Sequence, residues 1–165
     1  MIFGKIFYIK QQKWYLNMID NQFFHVLDHE LQPPNSNIDN IANIDKYDNN
    51  SIQNIYIQDL LDFLPAHEHS IIIDKVFDKL VHGGVVHIQA PDLKHLANAI
   101  VFNTVNVSLA KEILYPKKSS ISTIYDILAL LKDRFIIINK KYVSIFEYYI
   151  TAQAFKPEHE QQITI

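Results

Sequence analysis

The sequence predicts an α/β domain with a mostly parallel central sheet, an antiparallel hairpin at the C-terminal edge and an atypical N-terminal β-meander. The first observation is that Asn54–Leu96 reads as a strand, a helix, a glycine pair and a second strand. Two apolar strands joined by an amphipathic helix form a βαβ unit with parallel strands. The other observations are two β-rich runs near the end of the chain and three closely spaced β-rich runs at its start.

Composition limits the class of protein. The 165 residues are 48% hydrophobic and 20% charged, as expected of one soluble globular domain. The absence of cysteine excludes disulfides, zinc–thiolate sites and cysteine nucleophiles, and it agrees with a cytoplasmic location. The net charge is −3 and no basic stripe occurs, so we expect no nucleic-acid partner. No apolar run is long enough to span a membrane.

The N-terminal runs have the spacing of antiparallel strands. Ile2–Ile9 alternates, and Trp14–Ile19 and Phe23–Leu27 are strand-like runs separated by three residues. A parallel crossover needs about a dozen residues, whereas a hairpin loop needs about two to five. We therefore predict an antiparallel meander over these three runs.

The central unit follows a polar stretch. We predict a loop over Gln32–Asn40 and a short strand over Ile41–Ile44 before it. Asn54–Gln58 is a short apolar strand, and Leu60–Leu64 has the pattern of a tight helical turn that Pro65 closes. The polar residues that follow the strand are therefore expected at its carboxyl end.

A helix and a second strand complete this unit. Ser70 stands where it can cap a helix that continues through Val81, because apolar residues recur on one helical face between them. We predict that Gly83 and Gly84 stop this helix, since glycine adopts the left-handed conformation found at helix ends. Val85–Gln89 is then the second apolar strand.

The last third of the chain alternates between helical and strand patterns. The predicted elements are a mostly helical stretch over Leu93–Ala110, a helix that Ser122 caps and that runs to about Lys132, a strand over Phe135–Ile138, and an antiparallel pair formed by Tyr142–Phe146 and Glu147–Phe155. This pair is the predicted edge hairpin. Residues 157–165 have the composition of a polar tail.

Several short motifs occur in a fixed order along the central unit. They are Asp48-Asn49-Asn50-Ser51, Tyr56, Leu61-Asp62-Phe63-Leu64, Gly83-Gly84 and Pro91-Asp92-Leu93. This order resembles the class I S-adenosylmethionine-dependent methyltransferases, most closely the branch often found with sugar and lipopolysaccharide biosynthesis. The resemblance covers roughly residues 39–156. It implies a Rossmann-like methyltransferase sheet in a single domain over residues 1–156.

The resemblance weakens where that family binds its cofactor. The family uses a glycine-rich turn after its first strand, where glycine lets the backbone approach the ligand. The glycines of this chain are Gly4, Gly83 and Gly84, and the counterpart of the turn, within Tyr15–Asn21, carries Met-Ile-Asp. The resemblance implies that Asp28 would hold the ribose hydroxyls, but the helix that should precede it is missing. The N-terminal cofactor motif is thus truncated and degenerate.

The resemblance also indicates which side chains could take part in a site. Asn43 occupies the family's acidic position near the adenine, and Asp62-Phe63 replaces its Glu-His pair. The candidate catalytic residues are Asp59 and Asp62, and the candidate cofactor-binding residues are Asp20, Asp28, Asn43, Gln58 and Asp92. Ligands bind at the carboxyl ends of the strands in such sheets. The alternative for Asp59, Asp62 and Asp92 is that each caps the short helix that follows it.

Other chemistries receive little support from the sequence. The histidine pairs His25–His29 and His67–His69 suit a strand-like run and a solvated loop better than a metal site, so we expect no metal. Neither a G-x-S-x-G elbow nor a G-x-x-x-x-G-K-[ST] loop occurs, which removes the hydrolase triad and ordinary P-loop chemistry.

Two functions remain open. The first is a degenerate methyltransferase-like domain that has lost S-adenosylmethionine and serves as a non-catalytic subunit or assembly module, with a protein partner or a second copy as its partner and no cofactor. The alternative is an active S-adenosylmethionine-dependent methyltransferase that acts on a sugar, glycan or small molecule, with Asp59 or Asp62 as the base.

Overall fold

A computed structural model describes residues 5–10, 37–39, 41–114 and 119–156 of the chain. The strands are β1 (Lys5–Lys10), β2 (Asn37–Asp39), β3 (Ile52–Gln58), β4 (Leu80–Pro91), β5 (Phe135–Tyr142) and β6 (Glu147–Ala154). The α-helices are α1 (His69–Lys79), α2 (Leu93–Val101), α3 (Val107–Leu114) and α4 (Ile124–Leu131), and 3₁₀ turns cover Ile41–Lys46, Leu61–Phe63 and Ala66–Glu68.

These strands form a single sheet in the order β2–β1–β3–β4–β6–β5. β1 to β4 pair in parallel, and β6 pairs antiparallel with both β4 and β5. The predicted mostly parallel sheet with an antiparallel C-terminal edge hairpin is therefore confirmed. The strand predicted over Tyr142–Phe146 is wrong, because residues 143–146 form the turn of the hairpin. The partner of β6 is β5, which covers the predicted strand Phe135–Ile138 and continues to Tyr142.

The N-terminal strands pair differently from the prediction. β1 lies between β2 and β3 and is parallel to both, which corrects the antiparallel pairing expected for the first run of the meander. The other two runs, Trp14–Ile19 and Phe23–Leu27, lie outside the described residues. β2 falls inside the predicted loop over Gln32–Asn40, because a short polar strand can form wherever a neighbouring strand edge is available to pair with it.

The strand predicted over Ile41–Ile44 is wrong, since this segment belongs to a 3₁₀ turn. The turn places Ile44 fully buried in the main core, beside the partly buried Tyr47. Three or four apolar residues satisfy a strand and a single helical turn equally well, so the local pattern could not separate the two.

The βαβ unit is confirmed. β3 and β4 pair in parallel register, with Tyr56 opposite His87, and α1 connects them. Alternate residues of both strands, such as Ile57 and Ile88, are buried in one core with side chains of α1 and α4. Ser70 does not cap α1, because the helix begins at His69, directly after the 3₁₀ turn over Ala66–Glu68.

The glycine pair has a structural role, but it does not stop α1. The helix ends at Lys79 and Leu80 already has an extended backbone. Gly83 and Gly84 lie inside β4, where the pairing with β3 jumps from Ile52↔Leu80 to Asn54↔Val85. The extra residues of β4 form a bulge, and Gly83 takes a φ of +76° there.

We expect Gly84→Ala to lower the free energy of unfolding by about 2–3 kcal/mol, because overpacking against atoms that cannot move is costly. A Cβ at Gly84 would lie 3.0 Å from the carbonyl oxygen of Val81 and 3.2 Å from those of Ile52 and Gln53, which are all backbone atoms. Urea unfolding measures the loss.

Gly83→Ala is the matched control for this substitution. Its Cβ would have room, since the nearest atom is the flexible Nε2 of Gln153 at 3.5 Å. Its cost is therefore limited to the positive φ, about 1–2 kcal/mol. A Gly83→Ala variant that is less stable than Gly84→Ala would show that backbone conformation, rather than crowding, governs the bulge.

The C-terminal helix is capped one residue later than predicted. Thr123, not Ser122, is the N-cap of α4: its side chain accepts from the backbone N–H of Asp126, whose carboxylate accepts from the N–H of Thr123 at 2.8 Å. The predicted helical stretch after β4 is divided into α2 and α3 by a turn. Among the described helices, none has the length and apolar character needed to cross a membrane.

Candidate functional site

The carboxyl ends of β3 and β4 bring three predicted acids together. Asp59 directly follows β3, Asp62 lies in the 3₁₀ turn after it, and Asp92 follows β4. Asp62 and Asp92 are almost fully buried. Tyr148, on β6, is near enough for the charges of all three carboxylates to act on its hydroxyl, and we call these four side chains the acid cluster.

Tyr148 was not found by the sequence analysis. Burial raises its pKa well above the ordinary value, and the nearby carboxylates of Asp62, Asp59 and Asp92 raise it further. Its side chain is fully buried, and its hydroxyl has no hydrogen-bond partner among the described residues. A phenol in this setting stays neutral, so it can donate a hydrogen bond but cannot act as a base near neutral pH. The alternation along β6 was the available signal, since Tyr148 has the same parity as the buried Ile150.

Asp59 and Gln58 stand at the very end of β3. The backbone N–H of Asp59 donates to the carbonyl of Gln89 at 2.9 Å, which extends the β3–β4 pairing by one residue. Asp59 has a φ of +55°, an uncommon conformation for a residue with a side chain. Because strained backbone conformations are concentrated at functional sites, the conformation of Asp59 marks the end of β3 as a candidate part of the site.

Asp92 stabilises the fold through hydrogen bonds to three other elements. Its carboxylate accepts from the backbone N–H of His95 at 3.0 Å and of Ile124 at 2.9 Å, and from the hydroxyl of Tyr142 at 3.1 Å. The ring of His95 stacks on Tyr142 with 3.9 Å between centroids. Burial and the adjacent carboxylate of Asp92 raise the pKa of Tyr142 to about 12. Asp92 therefore caps α2 and joins it to α4 and to the β5–β6 hairpin, as the capping alternative predicts.

His69 also has a structural role, and its predicted position in a solvated loop is wrong. It is buried at the start of α1, with Nε2 2.7 Å from the carbonyl oxygen of Leu61 and 3.0 Å from Oγ of Ser120. Because a carbonyl oxygen only accepts, Nε2 carries the proton in this arrangement. His67 is exposed, as predicted. Within the described part of the chain, no group of three or more metal-binding side chains is found, and His25 and His29 lie outside it.

The remaining cofactor candidates lie only partly within the described residues. Asn43 lies in the 3₁₀ turn over Ile41–Lys46, and Asp20 and Asp28 lie outside the described residues. The strand beside β3 is β1, not the predicted counterpart within Tyr15–Asn21. Residues 11–13, which follow β1 in the sequence, are Gln-Gln-Lys and lie outside the described residues.

A second polar group lies on the opposite face of the sheet and was also missed. His87 stacks on Tyr56, with 4.2 Å between ring centroids, and its Nδ1 shares a hydrogen bond of 2.7 Å with the hydroxyl of Tyr149. Burial lowers the pKa of His87 to about 4. Nζ of Lys141 lies 5.6 Å from the ring centroid of Tyr149. The in-register pairing of Tyr56 with His87 explains this stack, and a single sequence does not reveal that register.

Comparison with known proteins identifies the fold. No family model and no curated protein matches the sequence. A SAM-dependent methyltransferase from Methanosarcina mazei is similar in structure, with a TM-score of 0.56 and 18% identity over 92% of each chain. A protein from Pyrococcus horikoshii has a TM-score of 0.58 and 11% identity, over 91% of this chain and 71% of its own.

A third similar structure comes from Sulfolobus solfataricus and is assigned to the type 11 methyltransferases. Its TM-score is 0.53 and its identity 11%, over 96% of this chain and 75% of its own. At these identities the likeness concerns the fold alone. The described strands and helices thus form a Rossmann-like methyltransferase fold.

Proposed function

We propose that this domain retains a methyltransferase-like fold without binding S-adenosylmethionine and serves as a non-catalytic subunit or assembly module. One observation carries the proposal. Gly83 and Gly84 lie in the bulge at the amino end of β4, and no other glycine follows Gly4. Ligands of such sheets bind at the carboxyl ends of the strands, where a glycine turn would have to let the backbone approach the cofactor.

The acid cluster supports the same proposal. The carboxylate of Asp92 already accepts three hydrogen bonds from groups of the protein, so it has little capacity left to bind a ligand. A cofactor bound without its backbone donors and without the acid that Asn43 replaces would bury unpaired polar groups, at about 1–3 kcal/mol each. We infer that the side chains at the carboxyl ends of the strands stabilise the fold, and that the domain functions through a different part of its surface.

The motifs of the central unit favour an origin in the sugar and lipopolysaccharide branch of the methyltransferases. A domain of that origin which no longer binds the cofactor can still act through its surface, as fold and activity are separable. We therefore propose that its partner is another protein or a second copy of itself, and that it needs no cofactor.

Isothermal titration of the purified chain with S-adenosylhomocysteine and S-adenosylmethionine tests the proposal. We expect no saturable heat at ligand concentrations up to about 1 mM, which corresponds to a binding free energy weaker than about −4 kcal/mol. An active methyltransferase of the same fold, titrated in the same buffer, is the positive control.

A dissociation constant in the low micromolar range would overturn the proposal. It would favour the alternative, an active methyltransferase acting on a sugar, glycan or small molecule, with Asp59 or Asp62 as the base. The strained conformation of Asp59 at the end of β3 is the observation that supports this alternative.

A further inference from the structure

We propose that the turn between α2 and α3 docks on an anionic lipid surface. We call residues 101–107 the apolar tip. Val101, Phe102 and Val107 are 72%, 76% and 59% exposed, which makes the tip the most exposed group of large apolar side chains in the described chain. Grouped exposed apolar residues of this kind mark an interaction site.

The exposure of the tip does not come from a loose turn. The backbone N–H of Phe102 donates to the carbonyl of Asn98 at 2.9 Å, and that of Thr104 donates to Ala99 at 2.8 Å. Asn106 caps α3 by accepting from the N–H of Leu109 at 2.8 Å. Val105, in the middle of the same turn, is buried in the small core formed by α2 and α3. The fold therefore buries one apolar residue of the turn and holds three outward.

The charges around the tip favour an anionic surface. No Asp or Glu occurs from Leu93 to Lys111, although the chain as a whole has a net charge of −3. Exposed Lys94 precedes Val101 by seven residues, and exposed Lys111 follows Val107 by four. These spacings place each lysine on the same helical face as the apolar residue, about two turns and one turn away from it.

This arrangement is typical of interfacial membrane binding. Apolar side chains enter the boundary of the lipid layer while lysine stems reach along it and keep the ammonium groups at the headgroups. A lysine near an anionic membrane strengthens binding by about fivefold. Three apolar residues and two lysines predict reversible docking rather than permanent anchoring. The inference is independent of cofactor binding, so it can fail or hold separately from the proposed function.

Vesicle flotation tests the proposal. We expect the chain to float with phosphatidylcholine vesicles that contain about one quarter phosphatidylglycerol, to bind pure phosphatidylcholine at least about fivefold more weakly, and to dissociate as salt is added. Phe102→Asp combined with Val107→Asp should lower the partition coefficient by about tenfold or more, because charge replaces the inserted apolar groups.

The matched control is Ile136→Asp combined with Ile138→Asp, on edge strand β5. Both isoleucines are 54% exposed, so the change in charge and exposed apolar area is similar, and binding should change by less than about threefold. Far-UV circular dichroism and the unfolding midpoint establish that both double variants are folded.

Three outcomes would overturn the proposal. The first is that the wild-type chain fails to float with the anionic vesicles, and the second is that the tip variant floats as well as wild type. The third is that sedimentation shows self-association that Phe102→Asp removes, in which case a second copy covers the tip instead of lipid.

Discussion

Replacing Asp92 with alanine is expected to lower the free energy of unfolding by about 3–5 kcal/mol, the largest effect of any single substitution considered in this protein. The carboxylate accepts hydrogen bonds from His95, Ile124 and Tyr142. Asp92 is almost fully buried, so water cannot readily replace the missing acceptor. Loss of the helix cap alone costs about 1 kcal/mol, and the stranded donors of Ile124 and Tyr142 add the rest.

Urea unfolding followed by circular dichroism measures this loss, and two variants make it interpretable. Asp92→Asn keeps one acceptor oxygen in the same place, so it should retain part of the stability. Asp133→Ala removes an exposed aspartate and should change stability by less than about 0.5 kcal/mol. If Asp92→Ala behaves like Asp133→Ala, the carboxylate does not join the helices to the hairpin, and its availability for a ligand must be reconsidered.

Acidification between pH 6.5 and pH 4 is expected to remove up to about 3 kcal/mol of stability through His87. Burial lowers the pKa of this imidazole from 6.5 to about 4 in the folded protein. Between these values the unfolded chain binds the proton and the folded chain does not, so acid favours unfolding. The contribution is complete above pH 6.5 and is lost as the pH falls to about 4.

The variant His87→Phe isolates this contribution. Phenylalanine can keep the stack on Tyr56 but carries no titratable nitrogen, so wild type should lose stability relative to the variant as the pH falls through this range and become the less stable protein near pH 4. The lost hydrogen bond to Tyr149 adds a cost of about 1 kcal/mol that does not follow the titration of the imidazole. Parallel stability curves for wild type and variant would show that His87 is protonated equally in the folded and unfolded states.

Much of the sheet could be predicted because its patterns are local and long. The alternation of apolar residues in β3 and β4, and the helical period of α1, each persist over enough residues to exclude the other structure. Periodicity did not predict the structure of short segments correctly. Three residues at Asn37–Asp39 and four at Ile41–Ile44 are too few to distinguish the strand period of about 2 residues from the helical period of about 3.6, so pairing with β1 and burial of Ile44 decided their structure.

The candidate site, like the sheet, could be predicted only in part from the sequence. Asp59, Asp62 and Asp92 were found because each lies within four residues of the end of a predicted strand, and the carboxyl ends of parallel strands meet at one edge of a sheet. Whether those acids are open to a ligand was not predictable. The three groups that donate hydrogen bonds to Asp92 lie 3, 32 and 50 residues away along the chain, and only packing brings them together.

The sequence by itself determined the parallel βαβ unit, the presence of an edge hairpin and the scarcity of glycine, because periodicity and composition can be read from the chain without its fold. The tertiary structure alone decided the strand order, the bulge that uses Gly83 and Gly84, the burial of Tyr148 near the acids, and the partners of His87. Those features depend on register, and a shift of one residue would turn each side chain to the other face of the sheet.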